Sequence, residues 1–192
     1  MEKLLLHHCC APCSPKVVET LSKDYDLKSF WYNPNIQPSE ESAKRKEALK
    51  SYLRSLSMEL VSRAEDIPDN WIWQNSREGA ERCRLCYFLR LSETAREARR
   101  QNAAKFSTTL LSSPHQKHDE IRFIGEQIAT AERVEFVYRD FRPWYYEGRN
   151  KVKDMKLHVQ NYCGCIPSLN ERKTRKPGSR DATRYAARLK KT

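Results

Sequence analysis

Short apolar runs alternate with helical segments along most of this 192-residue chain, and this alternation constrains the fold more than any other feature. Short apolar runs bounded by turn residues predict strands, whereas apolar residues at helical spacing predict amphipathic helices. Strands and helices in alternation favour a parallel sheet with helices on both faces. We therefore predict an α/β fold with a roughly five-stranded parallel sheet, its strands at 3–7, 27–32, 58–61, 105–111 and 135–138.

The segments between these strands carry helix signals. Ser14 and Pro15 fit the N-cap and the first turn of a helix that ends near residue 22. A longer helix is predicted to begin at 39–42. Further helices are predicted at 78–102 and 116–132, with a last one between an aromatic loop at 140–147 and Cys163.

The chain length favours a single globular domain. A chain of 192 residues can bury one hydrophobic core but is short for two. We predict one α/β domain over 1–170 and a basic tail over 171–192. Ligands of parallel α/β sheets bind beyond the carboxyl ends of the strands. Because 9–13 follow the first predicted strand and 114–118 follow the fourth, we expect the active site at this edge.

The seven cysteines are confined to tight groups. Buried cysteines that serve only for packing would be scattered through apolar segments, so clustering indicates metal or redox chemistry. An odd number of cysteines also fits poorly with a framework of disulfides. The groups are Cys9-Cys10, Cys13, Cys83-x-x-Cys86 and Cys163-Gly-Cys165.

Two of these groups together offer four thiolates for a metal centre. Cys83 and Cys86 lie about one turn apart in a predicted helix and therefore face the same side. Cys9 and Cys10 can diverge in a loop and approach the same iron–sulfur cluster. Structural zinc is the alternative, with Cys10-x-x-Cys13 and Cys83-x-x-Cys86 as its two pairs.

The pair formed by Cys163 and Cys165 favours different chemistry. Two cysteines so close in sequence can close a small, strained disulfide that is easily reduced. Gly164 allows the backbone to bend between them. The pair therefore suits a redox relay, and metal ligation is the alternative.

The net charge of +11 favours a polyanionic partner such as nucleic acid. Residues 171–192 hold nine Lys and Arg against two Asp and Glu, so an excess of seven positive charges is concentrated there. We predict that this tail contacts RNA phosphates. The predicted RNA-binding residues are Arg172, Lys173, Arg175, Lys176, Arg180, Arg184 and Arg188.

The sequence predicts a cytoplasmic protein without a membrane partner. No uninterrupted apolar run approaches the roughly 20 residues of a membrane-spanning helix. The opening segment, residues 1–8, is too short and too polar for a signal peptide. In a reducing compartment, cysteines are better explained as ligands or catalysts than as structural disulfides.

Six motifs cover nearly the whole chain. They are LLLHHCCAPC (4–13), YNPNIQPSEE (32–41), RCRLCYFLRL (82–91), FSTTLLSSPHQK (106–117), DFRPWY (140–145) and NYCGCIPS (161–168). In content and order they resemble the cobalamin-independent, QueH-type epoxyqueuosine reductases. The resemblance implies reductive removal of the epoxide oxygen of epoxyqueuosine at the tRNA wobble position, the last step in making queuosine. It also implies a fold similar to the nucleotide-binding PP-loop (HUP) superfamily.

The resemblance further implies cofactors and partners. The partners are a tRNA that carries epoxyqueuosine and an electron donor that the sequence does not identify. The cofactor is a 4Fe–4S cluster, and an iron ion in addition to the cluster is a further candidate. The implied cluster ligands are Cys9, Cys10, Cys83 and Cys86, and the implied redox pair is Cys163 and Cys165.

Two roles are left open within this scheme. Cys13 matches a family position and is a candidate either for binding a second iron or for contacting the substrate. The departing oxygen also needs a proton donor. Asp140 is one candidate, with ordering of Arg142 as its alternative role. The other candidates at predicted strand ends are His8, Tyr32 and His115.

Two other classes of protein compete with this interpretation. A tRNA thiolation enzyme of similar fold typically carries a Ser-Gly-Gly-x-Asp-Ser phosphate loop after its first strand, where this chain has His-Cys-Cys-Ala-Pro-Cys at 8–13. A zinc-stabilised RNA-binding module would be colourless, and its Cys163 and Cys165 would be unreactive. Absorbance at about 400 nm, which thiolate-bound iron–sulfur centres show, would exclude that module.

Overall fold

A computed structural model describes residues 1–63 and 79–174 of the chain. Within these residues, five parallel strands form one sheet in the order β3-β2-β1-β4-β5. The predicted α/β class with a five-stranded parallel sheet is thus confirmed. The strands are β1 (Lys3–His7), β2 (Asp26–Trp31), β3 (Leu60–Ser62), β4 (Lys105–Thr108) and β5 (Glu135–Phe136).

Helices connect the strands and cover the sheet. Because crossovers between parallel strands are right-handed, the helices that follow β1 and β2 lie on one face and those around β4 on the other. None of the helices in the described ranges is long and apolar enough to cross a membrane. They are α1 (Pro15–Leu21), α2 (Ser39–Arg54), α3 (Ala80–Arg100), α4 (His118–Glu132), α5 (Tyr145–Asp154) and α6 (Ile166–Thr174).

The strand order reverses between β1 and β4, which pair in parallel from Leu4 opposite Lys105 to His7 opposite Thr108. A reversal of this kind opens a crevice beyond the carboxyl ends of the two strands. The loop that follows β1 carries three cysteines, and the chain after β4 turns into a short 3-10 helix, Thr109–Ser112. The cysteine loop therefore lies at the carboxyl edge of the sheet, where the active site is predicted.

The core fixes this edge of the sheet in place. Leu4, Leu5 and Leu6 of β1 are all fully buried, as expected for a central strand with helices on both faces. Phe30 and Phe106, on the two neighbouring strands, are equally buried. Full burial of each such side chain contributes about 1.5–3 kcal/mol. The cysteine loop is thus anchored on the most buried strand of the sheet.

Several element ends differ from the prediction. β4 ends at Thr108 and not at Leu111, because the Thr108 hydroxyl accepts a hydrogen bond from Leu110 N and turns the chain. α5 begins at Tyr145, inside the predicted aromatic loop, after a 3-10 turn at Arg142–Trp144. Both differences arise where a local polar contact or turn overrides the strand or loop propensity.

The predicted boundary at residue 170 falls within a helix. α6 covers Ile166–Thr174, so the first four residues of the predicted tail are helical. Arg172 and Lys173 are exposed in its last turn. The division into domain and tail and the RNA contacts of the tail stay predictions. Five predicted RNA-binding residues lie outside the described residues: Arg175, Lys176, Arg180, Arg184 and Arg188.

Candidate active site and metal centre

Cys9, Cys10 and Cys13 form a compact group of sulfurs after β1. Their Sγ atoms all lie within 4.8 Å of one another. Cys10 is fully extended, and the 3-10 helix Ala11–Cys13 that follows it brings Cys13 back toward the other two. Cys10 and Cys13 are buried, and Cys9 is partly buried. Three soft sulfur donors in one buried place suit iron or zinc.

A buried hydrogen-bond chain holds this cysteine loop. The Ser14 hydroxyl donates to the Cys10 carbonyl at 2.8 Å and lies 2.8 Å from His8 Nδ1. His8 Nε2 lies 3.1 Å from the Ser29 hydroxyl. Ser14 therefore occupies the predicted N-cap position of α1 without a side-chain cap bond, because its hydroxyl is used in the loop. Burial lowers the pKa of His8 to about 3, so its neutral ring serves as a support.

Contacts between strand ends fix the other side of the loop. His7 Nδ1 lies 2.8 Å from the Thr108 hydroxyl, and His7 Nε2 lies 3.2 Å from Asn33 Oδ1. The ends of β1 and β4 and the loop after β2 are joined in this way. Cys9 N donates to the Thr109 hydroxyl at 2.9 Å, and that hydroxyl lies 3.2 Å from Cys9 Sγ. The position of Cys9 thus depends on both strands at the reversal.

The three thiols differ in acidity. Hydrogen bonds from Cys10 and Cys13 hold the pKa of Cys9 well below its usual value. Burial raises the pKa of Cys10, and hydrogen bonding to Cys10 and Cys9 raises that of Cys13. Metal binding at this group must therefore release the protons of the Cys10 and Cys13 thiols.

The remaining cysteines form a second group between α3 and the Cys163–Cys165 loop. Tyr87, which follows Cys86 on α3, donates to Gln116 Oε1 at 2.9 Å, and Gln116 Nε2 donates to Cys163 Sγ at 3.5 Å. Burial raises the pKa of Cys86 to about 12. Two predicted ligands therefore lie beside the predicted redox pair. In the described part of the chain, the compact sulfur group contains Cys13 and neither of these two ligands.

The loop that carries the predicted redox pair is clamped by α2. Arg45 donates to the carbonyl oxygens of Cys163 at 3.0 Å and Tyr162 at 3.1 Å. Its Nε pairs with Glu41 at 2.7 Å. Sequence reasoning missed Arg45, although it lies on the apolar stripe of α2 one turn before Leu49. A charged residue at a core spacing is the signal that could have identified it.

Gly164 is required where this loop packs against the chain after β2. Its φ of +134° is rare for residues with a side chain, and its carbonyl accepts from Gln37 N at 2.8 Å. A Cβ there would lie 3.1 Å from Asn35 Nδ2 and 3.2 Å from Arg45 Nη1. The predicted backbone bend at Gly164 is thus present, and its neighbours leave little room for a side chain.

Gly164→Ala is expected to lower the free energy of unfolding by about 1–3 kcal/mol, because its Cβ would crowd Asn35 and Arg45 in addition to the strain of this backbone conformation. Urea unfolding of the reduced protein measures the loss. Gly79→Ala is the matched control, since Gly79 also has a positive φ but, among residues 1–63 and 79–174, nothing lies within 4 Å of its Cβ position. Equal losses in the two variants would contradict a specific clamp around Gly164.

Asp140 is held as an ion-pair partner of Arg142. Its carboxylate accepts from Arg142 Nε at 2.8 Å and Nη2 at 2.6 Å, and from the Arg142 backbone N at 3.0 Å. Burial opposes ionisation, but these bonds prevail and hold the pKa of Asp140 below its usual value. The geometry favours the ordering of Arg142 over the donation of a proton.

Aromatic side chains of α5 and the turn before it flank the compact sulfur group. Tyr145 is buried against Cys10 and Cys13. The exposed His115 ring meets Tyr145 edge-on, with 6.1 Å between ring centroids. Trp144, the residue before Tyr145, is 43% exposed. The site thus has a buried sulfur floor and an aromatic rim.

Comparison of the sequence with known proteins identifies relatives of this chain. The family model for Epoxyqueuosine reductase QueH matches residues 4–171. The protein of that name from Dehalococcoides mccartyi is 35% identical over 171 residues, covering 88% of this chain and 94% of the relative. Its counterpart from Thermotoga maritima is 36% identical over 182 residues, covering 90% and 93%. The match spans every cysteine group.

A solved structure is similar in fold. It is the U34-tRNA thiolase NcsA from Methanococcus maripaludis with its [4Fe-4S] cluster. The TM-score is 0.53, and the similarity covers 98% of this chain and 71% of the thiolase. The sequence identity is 13%, so this likeness concerns the fold alone. It supports the predicted α/β fold.

Proposed function

Because this chain belongs to the QueH family of epoxyqueuosine reductases, we propose that it acts on tRNA with a 4Fe–4S cluster bound by its cysteines. As an epoxyqueuosine reductase it is an oxidoreductase. Removal of the epoxide oxygen consumes two electrons and two protons, leaves a carbon–carbon double bond and releases water. The observation that carries the proposal is the buried sulfur group at the reversal of strand order.

The donor set fits an iron–sulfur cluster. Cys10 is buried and Cys9 is partly buried, and an amide and a hydroxyl group already face their sulfurs. Gln160 Nε2 donates to Cys10 Sγ at 2.7 Å, and the Thr109 hydroxyl lies 3.2 Å from Cys9 Sγ. Hydrogen bonds of this kind tune cluster potentials, and when bound such a cluster supplies single electrons. The proposed ligands are Cys9, Cys10, Cys83 and Cys86.

Cys13 is proposed to serve beside the cluster and not within it. It lies within 4.8 Å of the other two sulfurs of its group, so it is near any metal bound there. Its thiol is also buried next to Tyr145, on the side of the aromatic rim. Binding of an additional iron and contact with the substrate are its two proposed roles.

Cys163 and Cys165 are proposed as the redox pair. Cys163 is exposed and Cys165 is buried, so the pair connects the surface with the interior. On closing to a disulfide, two thiols release the two electrons and two protons that one turnover requires. An external reductant of unknown identity would then restore the dithiol. Gln116 Nε2 donates to Cys163 Sγ at 3.5 Å and holds it in place.

The substrate is proposed to approach from the aromatic rim. Trp144 can stack on an unpaired base, as aromatic side chains do in the recognition of single-stranded RNA. Asp140 is proposed to order Arg142 for a phosphate or for the substrate. The basic tail from Arg172 onward supplies further phosphate contacts. As a tRNA-modifying enzyme, the protein is proposed to act in the cytoplasm.

An anaerobic assay tests the proposed function. Protein reconstituted with iron and sulfide receives dithionite and tRNA that contains epoxyqueuosine, and the digested nucleosides are analysed by mass. We expect the loss of one oxygen, dependent on bound iron. A cluster-loaded protein that leaves this tRNA unchanged, while another reductase converts it, would contradict the proposal. A colourless protein that retains zinc and excludes iron would contradict the cofactor.

A further inference from the structure

Arg90 is a buried cation in the interior of the cysteine site. It lies on α3 one turn after Cys86 and is only 2% exposed. Its Nε donates to the Cys86 carbonyl at 3.3 Å, and its Nη1 donates to Asn33 Oδ1 at 3.3 Å. Arginine is rarely buried this deeply unless it is paired. The pairing of this charge therefore requires an explanation.

No carboxylate among residues 1–63 and 79–174 forms a salt bridge with Arg90, and its Nη2 has no hydrogen-bond partner there. Arg45 provides the contrast, because it is equally buried but pairs with Glu41 at 2.7 Å. A buried cation without a countercharge is strongly unfavourable. The negative charge that balances Arg90 must therefore come from nearby groups other than these carboxylates.

Cysteines on either side of Arg90 are those groups. Arg90 contacts the Cys86 carbonyl on α3. It also contacts Asn33, whose Nδ2 donates to the His8 carbonyl at 2.9 Å, directly before Cys9 in the chain. Arg90 thus lies between the compact sulfur group and the second cysteine group. Its two hydrogen bonds hold the guanidinium in one orientation, which leaves Nη2 as the donor still available.

We propose that Arg90 is the countercharge of the metal centre, and that its Nη2 donates to a sulfur of the bound cluster. The inference rests on the proposed function, since it requires a cluster at these cysteines. A fixed positive charge and a hydrogen bond to sulfur both stabilise the reduced, more negative state, and so raise the reduction potential. Arg90 is a positioning and tuning residue and need not touch the substrate.

The reduction potential of the loaded protein tests this role directly. We expect Arg90→Gln to lower the midpoint potential, so that the ratio of reduced to oxidised protein falls about tenfold at the wild-type midpoint. A tenfold change corresponds to about 59 mV for a one-electron couple. Arg90→Lys keeps the charge without the fork of donors, and we expect an intermediate value. Redox titration followed by visible absorbance gives both values.

Arg84→Gln is the matched control on the same helix. Arg84 is exposed and bonded to Glu120 at 2.7 Å, so its loss is expected to leave the potential unchanged. Loaded Arg90→Gln and Arg90→Lys proteins with the wild-type potential would overturn the inference and leave the proposed function intact. Wild-type protein that binds no iron would overturn the proposed function, and this inference with it.

Discussion

Cys83→Ala is expected to lose the iron–sulfur cluster and epoxyqueuosine reduction together. Cys83 is a proposed ligand, and its thiolate comes from α3, whereas Cys9 and Cys10 come from the loop after β1. The cluster would therefore be bound by two elements that are far apart in sequence. Removal of Cys83 leaves it with an incomplete set of ligands. Iron and sulfide content and absorbance at about 400 nm measure the loss of the cluster. Nucleoside mass analysis measures the loss of epoxyqueuosine reduction. We expect both to fall to background.

Arg84→Ala is the control for this variant, because Arg84 is the exposed neighbour of Cys83 and exposed ion pairs contribute little to stability. Cys13→Ala supplies the decisive comparison. The structure groups Cys13 with Cys9 and Cys10 more closely than it groups Cys83. If Cys13→Ala loses the cluster and Cys83→Ala retains it, the proposed ligand set is wrong and the compact sulfur group is the metal site.

The sequence predicts the sheet and the place of the site well, because both depend on local patterns. β1 lies at the predicted 3–7, since a short buried apolar run followed by a Cys/Pro loop has few alternatives. The cysteines after β1 then lie at the carboxyl edge for topological reasons. The closeness of Cys13 to Cys9 and Cys10 is harder to predict, because it depends on the 3-10 turn at Ala11–Cys13.

The residues that support the site are the part that sequence patterns do not reveal. Arg45 and Arg90 lie on helices, where charged residues are usually solvated. Their burial depends on partners far away in sequence: Arg45 contacts the Cys163 carbonyl, and Arg90 contacts Asn33. The spacing of residues along a helix does not show which distant residues they contact. The core spacing of Arg45 marks its burial, but the partners of both arginines become identifiable only once the loops around the cysteines have been placed.

Cys163→Ala is expected to keep the cluster but to lose turnover. Cys163 is exposed, and its carbonyl is held by Arg45, so replacement of the side chain removes a thiol without removing the clamp. The remaining Cys165 cannot form the intramolecular disulfide and cannot release two electrons. Iron content should match the wild type. Product formed per enzyme, with a chemical reductant of dithiols as donor, should fall to background.

The thiols themselves distinguish a relay from a ligand. Alkylation followed by peptide mass analysis should find Cys163 and Cys165 joined after oxidation of the wild-type protein and free after reduction. Cys165→Ala should reproduce the Cys163→Ala result, whereas Asn161→Ala, a change at an exposed neighbour, should turn over normally. Loss of iron in Cys163→Ala would instead make this cysteine a metal ligand. The Cys163–Cys165 loop would then be part of the metal centre, and the two electrons of each turnover would need another source.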